Sequence, residues 1–302
     1  MSTPSEGSQP PLTDAQRIEN LKKAAWIGYE PAVKIRASIE DLLTWPGGPR
    51  MPGYAIIAES FNGKTSLLSS VARRVNPPPP QGDTGPQAPV PPTRPFFLFQ
   101  SPPEPDESRL YDEILRGLSM LGSPRESPAS KVNRIKVIFR NLEVKLIGID
   151  EFGFQQAGSP NKQRKSLNAL KYIGNEIGRP IVLAAVPETL NLLQSDKQIA
   201  NRYEPLHLPK WKSTSPELPK LLASFEKVLD LKKPSGLHNE AIAARIVAEG
   251  DGVLGHMDTL LRKLAKQAIE TKTEKITASS LTAKNLASIG WVHPSKRHQH
   301  PT

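Results

Sequence analysis

Tyr54-Ala55-Ile56-Ile57-Ala58-Glu59-Ser60-Phe61-Asn62-Gly63-Lys64-Thr65-Ser66-Leu67-Leu68 is the stretch whose reading decides the fold. Its first five residues are an apolar run of strand length, the pattern of a strand buried on both faces. From Thr65 to about residue 75 the spacing becomes helical. The loop between them fits G-x-x-x-x-G-K-[ST] except that Ala58 stands at the first glycine. A loop leading from a buried strand into a helix N-terminus aims several backbone N–H groups at one point, and the helix dipole adds positive charge there. Gly63 lets the backbone approach a phosphate, Lys64 reaches the β- and γ-phosphates, and the Thr65 hydroxyl coordinates Mg²⁺. Ser60, Phe61, Asn62 and Ser66 complete a loop expected to bind ATP. A single methyl at the strand end is compatible with that geometry.

The chain on either side repeats the alternation of strand and helix. Apolar runs at 96–99, 144–149, 181–186 and 205–208 alternate with helical patterns at 106–121, 131–140, 162–177 and 188–194, which implies a parallel sheet with helices on both faces. The run Val144-Lys145-Leu146-Ile147-Gly148-Ile149 ends in Asp150-Glu151. At the C-terminal edge of a strand, Asp150 can support the Mg²⁺ and Glu151 can polarise the attacking water. Phosphoryl transfer needs both, because water is a poor nucleophile and charge stabilisation does most of the remaining work. Two exposed acids at the start of a loop are the plain alternative, and the upstream phosphate loop weighs against it.

Composition sets the boundaries. Thirty-one of the 302 residues are proline, about twice the usual ~5%. Twelve of them fall between Pro77 and Pro105. A leader over residues 1–15 is expected to be disordered, as is a basic tail over 291–302, for which metal binding by His293, His298 and His300 is the less favoured reading. Between them we expect a helical segment over 16–50, an α/β core over 51–212 with a Pro-rich loop inserted at 76–95, and an all-helical domain over 213–290. Zero Cys excludes disulfides, thiolate metal sites and a Cys nucleophile. No apolar run reaches 18 residues, so no membrane partner is expected. The first eleven residues lack the pattern of a secretory signal, and the expected location is the cytoplasm.

The net charge is +10, and residues 210–302 hold 15 basic and 9 acidic side chains. Such an excess points to a polyanionic partner such as nucleic acid, with a solvated basic surface as the plain alternative. Lys162, Arg164 and Lys165 are the first candidates for phosphate contact, with a solvated helix start as the equal alternative. Lys131, Arg134 and Lys136 come next.

Several segments together resemble one family. They are Trp26-Ile27-Gly28-Tyr29, Trp45-Pro46, Arg50-Met51-Pro52, Asp150-Glu151, Leu167-Asn168-Ala169-Leu170-Lys171-Tyr172-Ile173-Gly174-Asn175-Glu176, Ser195-Asp196-Lys197-Gln198-Ile199-Ala200-Asn201-Arg202-Tyr203-Glu204-Pro205 and Leu208-Pro209-Lys210-Trp211. Over roughly residues 16–270 the chain resembles TniB, the AAA+ ATPase subunit of a group of bacterial transposons, and is similar to TnsC and more distantly to IstB. The resemblance implies an α/β AAA+ P-loop NTPase with a five-stranded parallel sheet covered by helices, plus a small helical lid. It implies a homo-oligomer, ring or helical filament, that assembles on double-stranded DNA with ATP and serves a DDE transposase (TniA-like), with a TniQ-like targeting protein as a further partner. By the same match Lys64 and Thr65 hold phosphate and Mg²⁺, Asp150 supports the metal, Glu151 activates water, Arg202 is an arginine finger acting on the neighbouring subunit, and Ile27 and Tyr29 lie near the adenine. An ion pair of Arg202 with Glu204 or Asp196 in its own chain is the alternative.

Three departures from the family pattern lead us to expect slow, partner-dependent hydrolysis. These are Ala58, Val186 where a polar residue usually senses the γ-phosphate, and Gly252-Val253-Leu254-Gly255-His256 without the usual lid arginine. Two rival readings stay open at this level. One is a DNA adaptor that binds ATP with little hydrolysis, and the other is an ATPase like a helicase loader.

Overall fold

The computed structural model describes residues 12–23, 26–78, 93–120, 123, 125–153 and 159–297. Most of the expected leader, the middle of the Pro-rich insertion and residues 298–302 of the expected tail lie outside the described residues. The chain divides into two compact units, Glu30–Lys210 and the discontinuous pair Met1–Tyr29 with Trp211–Thr302. Helix α1 (Asp14–Asn20) falls in the discontinuous unit and α2 (Glu30–Asp41) in the other, so the segment expected over 16–50 is shared between them.

The Glu30–Lys210 unit continues from α2 through β1 (Gly53–Ile57), α3 (Lys64–Val75), β2 (Phe96–Gln100), α4 (Glu107–Gly117), α5 (Pro128–Asn141) and β3 (Leu146–Asp150). It ends with α6 (Pro160–Ile177), β4 (Ile181–Ala185), α7 (Thr189–Gln194), α8 (Lys197–Ala200) and β5 (Tyr203–His207). The five strands form one parallel sheet in the order β2-β3-β4-β1-β5. Every residue of β3 and β4 is buried, as continuous apolar runs between two helical layers require. β5 buries only Tyr203 fully, and it tolerates Pro205 because an edge strand does not need every N–H for pairing. Phe97, Tyr111, Ile114, Ile135, Ile147 and Leu170 are part of the core between sheet and helices.

Helix α5 starts three residues before the expected 131. The Ser127 hydroxyl accepts the Ser130 N–H at 3.2 Å and Pro128 occupies the first turn, a start signal present in the sequence. The short α8 was not expected at all. It forms because the Asp196 carboxylate accepts the N–H groups of Gln198 and Ile199 at 2.9 and 3.1 Å.

The discontinuous unit packs α1 with α9 (Leu218–Leu229), α10 (Glu240–Glu249), α11 (Leu254–Glu270) and α12 (Ala283–Ser288). Leu222, Phe225, Ile246, Met257, Leu260 and Leu261 lie in its core. The helix expected over 278–289 is instead a 3₁₀ turn, Ala278–Leu281, followed by α12, because Thr282 is extended between them. The expected disordered tail is structured as far as Arg297. The Trp291 indole is buried and donates to Glu249 at 3.2 Å, and the Arg297 guanidinium lies 4.9 Å from the Trp291 ring centroid. Among the described residues no helix is long and apolar enough to cross a membrane.

Helix α1 is too short to be stable alone. Its anchor is the buried Arg17, which donates from both terminal nitrogens to the Glu274 carboxylate at 2.8 Å and from one of them to the Asp230 carbonyl at 3.0 Å. The Arg17 hydrogen bonds are the main cause that pulls the Glu274 carboxyl down to about 2 from an ordinary 4.5. A depressed carboxyl contributes stability in full above its unfolded value and loses it as the pH falls. The Glu274 contribution should therefore fade as the pH drops from about 4.5 through about 2. Arg17→Ala takes away the main partner of a buried carboxylate and leaves it the Lys232 N–H at 3.3 Å and the Lys232 ammonium at 3.8 Å, and we expect it to cost about 1–3 kcal/mol in denaturant unfolding at neutral pH. We also expect a shallower acid dependence than in the unaltered protein. Equal stability of the two at neutral pH would contradict the anchor.

Candidate active site

Because β4 lies between β1 and β3, the C-terminal ends of these three strands stand side by side on one rim. In open parallel sheets this is where ligands bind. Ala58 prolongs the β1–β4 pairing, donating its N–H to Ala185 at 3.2 Å. Beyond it the phosphate loop bends through two left-handed residues, Phe61 (φ 64°) and Gly63 (φ 89°). The conformation suits the glycine but strains the phenylalanine, whose ring is 59% exposed. Gly63 is the N-cap of α3 and has no side chain to cap it, so the orphan N–H groups of the first turn are presented to a ligand.

The Lys64 ammonium is buried and bends back over the loop, donating to the carbonyls of Ala58 at 2.7 Å and Glu59 at 2.9 Å. Burial pulls its pKa below the ordinary lysine value, opposed by the charges of Asp150, Glu59, Glu151 and Glu188. Thr65 and Ser66 are exposed on the first turn of α3, and Ser60 is exposed in the loop. Asn62 differs from expectation. Its side chain is 1% exposed and donates to the carbonyls of Leu208 and Pro209 at 2.9 and 3.3 Å, and its N–H donates to Glu59 at 3.2 Å. The Asn62 amide fastens the loop to the chain after β5.

Asp150 is the last residue of β3 and pairs in register with Gln100 of β2. One Asp150 carboxylate oxygen accepts the Glu151 N–H at 2.9 Å. Glu151 is exposed and adopts φ 54°, a costly backbone for a side chain of this type. The Gln100 carboxamide donates to the Glu151 carboxylate. Sequence reasoning missed Gln100, and the only signal was its place at the end of a strand that neighbours β3. It also missed Glu188, two residues beyond Val186, whose charge is felt at Lys64. The uncapped helix start, the exposed Thr65 hydroxyl and the Asp150 carboxylate are the donors and acceptors that a Mg²⁺-nucleotide requires, so the residues present fit that group.

A family profile described as Bacterial TniB protein matches residues 17–213. The chain belongs to the TniB family. Among solved structures it is similar to Drosophila ORC bound to DNA, with TM-score 0.58, 14% identity, and 96% of this chain and 70% of that one covered. It is similar to Cdc6p from Pyrobaculum aerophilum, with TM-score 0.57, 13% identity, and 90% and 71% covered. Domain III of the Thermotoga maritima replication initiation protein DnaA follows, with TM-score 0.51, 15% identity, and 94% and 100% covered. No curated protein matches. The fold is that of AAA+ P-loop ATPases.

Two TniB-like segments meet in the structure. Arg202, just before β5, donates to the Asn175 side-chain oxygen on α6 at 2.9 Å. Of its expected in-chain alternatives, Asp196 is held by Lys171 at 2.9 Å. That ion pair is the main cause that lowers the Asp196 carboxyl pKa. Tyr29 is buried edge-on against Trp211 with ring centroids 5.0 Å apart, and burial raises its hydroxyl to about 12. Ile27 is half-buried.

The cations proposed for DNA separate into two sets. Lys162, Arg164 and Lys165 lie exposed on the first turns of α6, with Lys162 3.8 Å from Glu104. Lys131 is 2% exposed and held by Asp112 at 2.7 Å and Ser108 at 2.8 Å. Arg134 pairs with Glu126 at 3.3 Å and Lys136 with Glu176 at 2.9 Å. Lys131 is corrected accordingly: it braces α4 against α5 and is too deeply buried to reach a phosphate. Arg134 and Lys136 stay partly exposed, each in a surface ion pair of the kind that contributes little and exchanges readily.

Proposed function

We propose that this protein is an ATP-dependent, DNA-binding regulator of transposition. In this reading it assembles on target DNA in the ATP state and recruits or activates a DDE transposase. The observation that carries it is one rim holding the phosphate loop, Asp150-Glu151 and the Gln100 contact in a chain of the TniB family. Two solved structures of like fold are DNA complexes, those of Drosophila ORC and of the Aeropyrum pernix Orc1 protein (TM-score 0.56, 14% identity, 63% of that chain covered).

ATP binds with its phosphates at the N-terminus of α3, where Lys64 turns from the loop carbonyls to the phosphate charge. Thr65 and Asp150 would hold a Mg²⁺, which when bound would supply positive charge against the phosphate oxygens. Glu151 orients a water and takes its proton as the water oxygen bonds to the γ-phosphorus. The bond from the γ-phosphorus to the bridging oxygen breaks, and the products are ADP and phosphate. Gln100 holds the Glu151 carboxylate until the site is filled. Arg202 of a neighbouring copy neutralises charge building on the γ-phosphoryl oxygens.

Phosphate release measured with and without duplex DNA tests this reading, and DNA should stimulate it. DNA affinity should be largely independent of sequence and fall steeply with salt, because each neutralised phosphate contributes about −0.9 to the log–log slope. Replacing Lys162, Arg164 and Lys165 together should flatten that slope by up to about three units. An unchanged slope would move the DNA surface elsewhere. No stimulation and no DNA binding by the unaltered protein would sink the reading.

A further inference from the structure

Helix α6 carries a glycine, Gly174, three residues before its last residue, where alanine would be the better helix former. Its φ is not in the left-handed region, so backbone conformation does not require it. Space bears on it instead. A Cβ built at Gly174 would stand 3.2 Å from Nη1 of Arg202, close enough that the guanidinium would have to move by a few tenths of an ångström. The next residue, Asn175, is exposed and accepts a hydrogen bond from Nη2 of the same guanidinium at 2.9 Å. One terminal nitrogen lies over the bare backbone of Gly174 and the other is held by the Asn175 carboxamide oxygen. A neutral acceptor orients a guanidinium without cancelling its charge, whereas a carboxylate would form an ion pair and hold it.

We infer that Gly174 and Asn175 form a cradle that pre-sets the Arg202 side chain for its task in a neighbouring subunit. The inference rests on the finger role proposed for Arg202. Asn175 and Gly174 are positioning residues, because they act only through the arginine. A side chain already held in its working orientation loses less freedom when it engages the transition state, so removing the hold should lower kcat and leave ATP binding unchanged.

The test uses full-length Asn175→Ala, Asn175→Asp and Gly174→Ala, with Arg202→Ala beside them. DNA-stimulated phosphate release, KM for ATP and melting temperature are read for each. We expect Asn175→Ala and Gly174→Ala to lower kcat about tenfold, the worth of one hydrogen bond to a charged group, with KM unchanged. Asn175→Asp should lower kcat at least as far by retaining the arginine. Gly174→Ala should melt no lower than the unaltered protein, since alanine favours the helix. A merely structural glycine would give the reverse, a lower melting temperature with activity lost in proportion. Unchanged kcat in both Asn175→Ala and Gly174→Ala, while Arg202→Ala is inactive, overturns the cradle alone. Full activity of Arg202→Ala overturns the finger role on which it rests.

Discussion

Arg202→Ala is expected to bind ATP as the unaltered protein does and to lose DNA-stimulated hydrolysis by about 10³–10⁵-fold, the range measured for arginine fingers elsewhere. Assembly in the presence of ATP should be lost with it. The expectation follows from what Arg202 does and does not touch. Asp196, a rival partner in the same chain, is taken by Lys171 at 2.9 Å. The guanidinium instead meets the neutral oxygen of Asn175 at 2.9 Å, so its charge is oriented and is not cancelled by that contact. Lysine should not replace it, because an ammonium lacks the planar fork. Nucleotide affinity from equilibrium binding and phosphate release from steady-state assays would separate the two effects.

Glu151→Gln should leave ATP bound and slow hydrolysis by about 10²–10⁴-fold, the usual contribution of a positioned general base. Assemblies on DNA should then outlive those of the unaltered protein, because the state that dissolves them is reached slowly. The substitution keeps size and hydrogen-bonding capacity and removes the acceptor charge. The left-handed backbone at Glu151 and the Glu151 N–H bond to Asp150 should therefore persist. Normal turnover would show that another group positions the water, with Glu188, whose charge also reaches Lys64, the first to examine.

What the sequence revealed and what it hid divide along a physical line. The five strands were legible because strands buried on both faces read as uninterrupted apolar runs, and Ile147-Gly148-Ile149 or Ile181-Val182-Leu183 admit little else. The phosphate loop was legible because its chemistry is local, with Gly63, Lys64 and Thr65 consecutive and the helix start beside them. Residues whose role depends on a partner distant in sequence were not legible. Asn62 reads as part of a phosphate loop, and only the return of the chain past β5 gives its side chain the carbonyls of Leu208 and Pro209. Lys131 reads as a surface cation on a helix, and only the packing of α4 on α5 buries it against Asp112. Gln100 gains its contact with Glu151 from strand order, which apolar periodicity does not encode. The anchoring of α1 depends on Arg17 and Glu274, 257 positions apart.

The central claim is that the catalytic site is completed by a second copy of the chain. The most direct measurement is DNA-stimulated phosphate release from a mixture of Lys64→Ala and Arg202→Ala proteins, with co-assembly verified by labelling each with a different fluorophore. Lys64→Ala should bind no nucleotide, since it lacks the charge that faces the β- and γ-phosphates, yet it still carries an intact Arg202. The mixture should regain a measurable part of the unaltered activity, well above the sum of its two components. A co-assembled mixture that releases phosphate no faster than that sum would contradict the shared site.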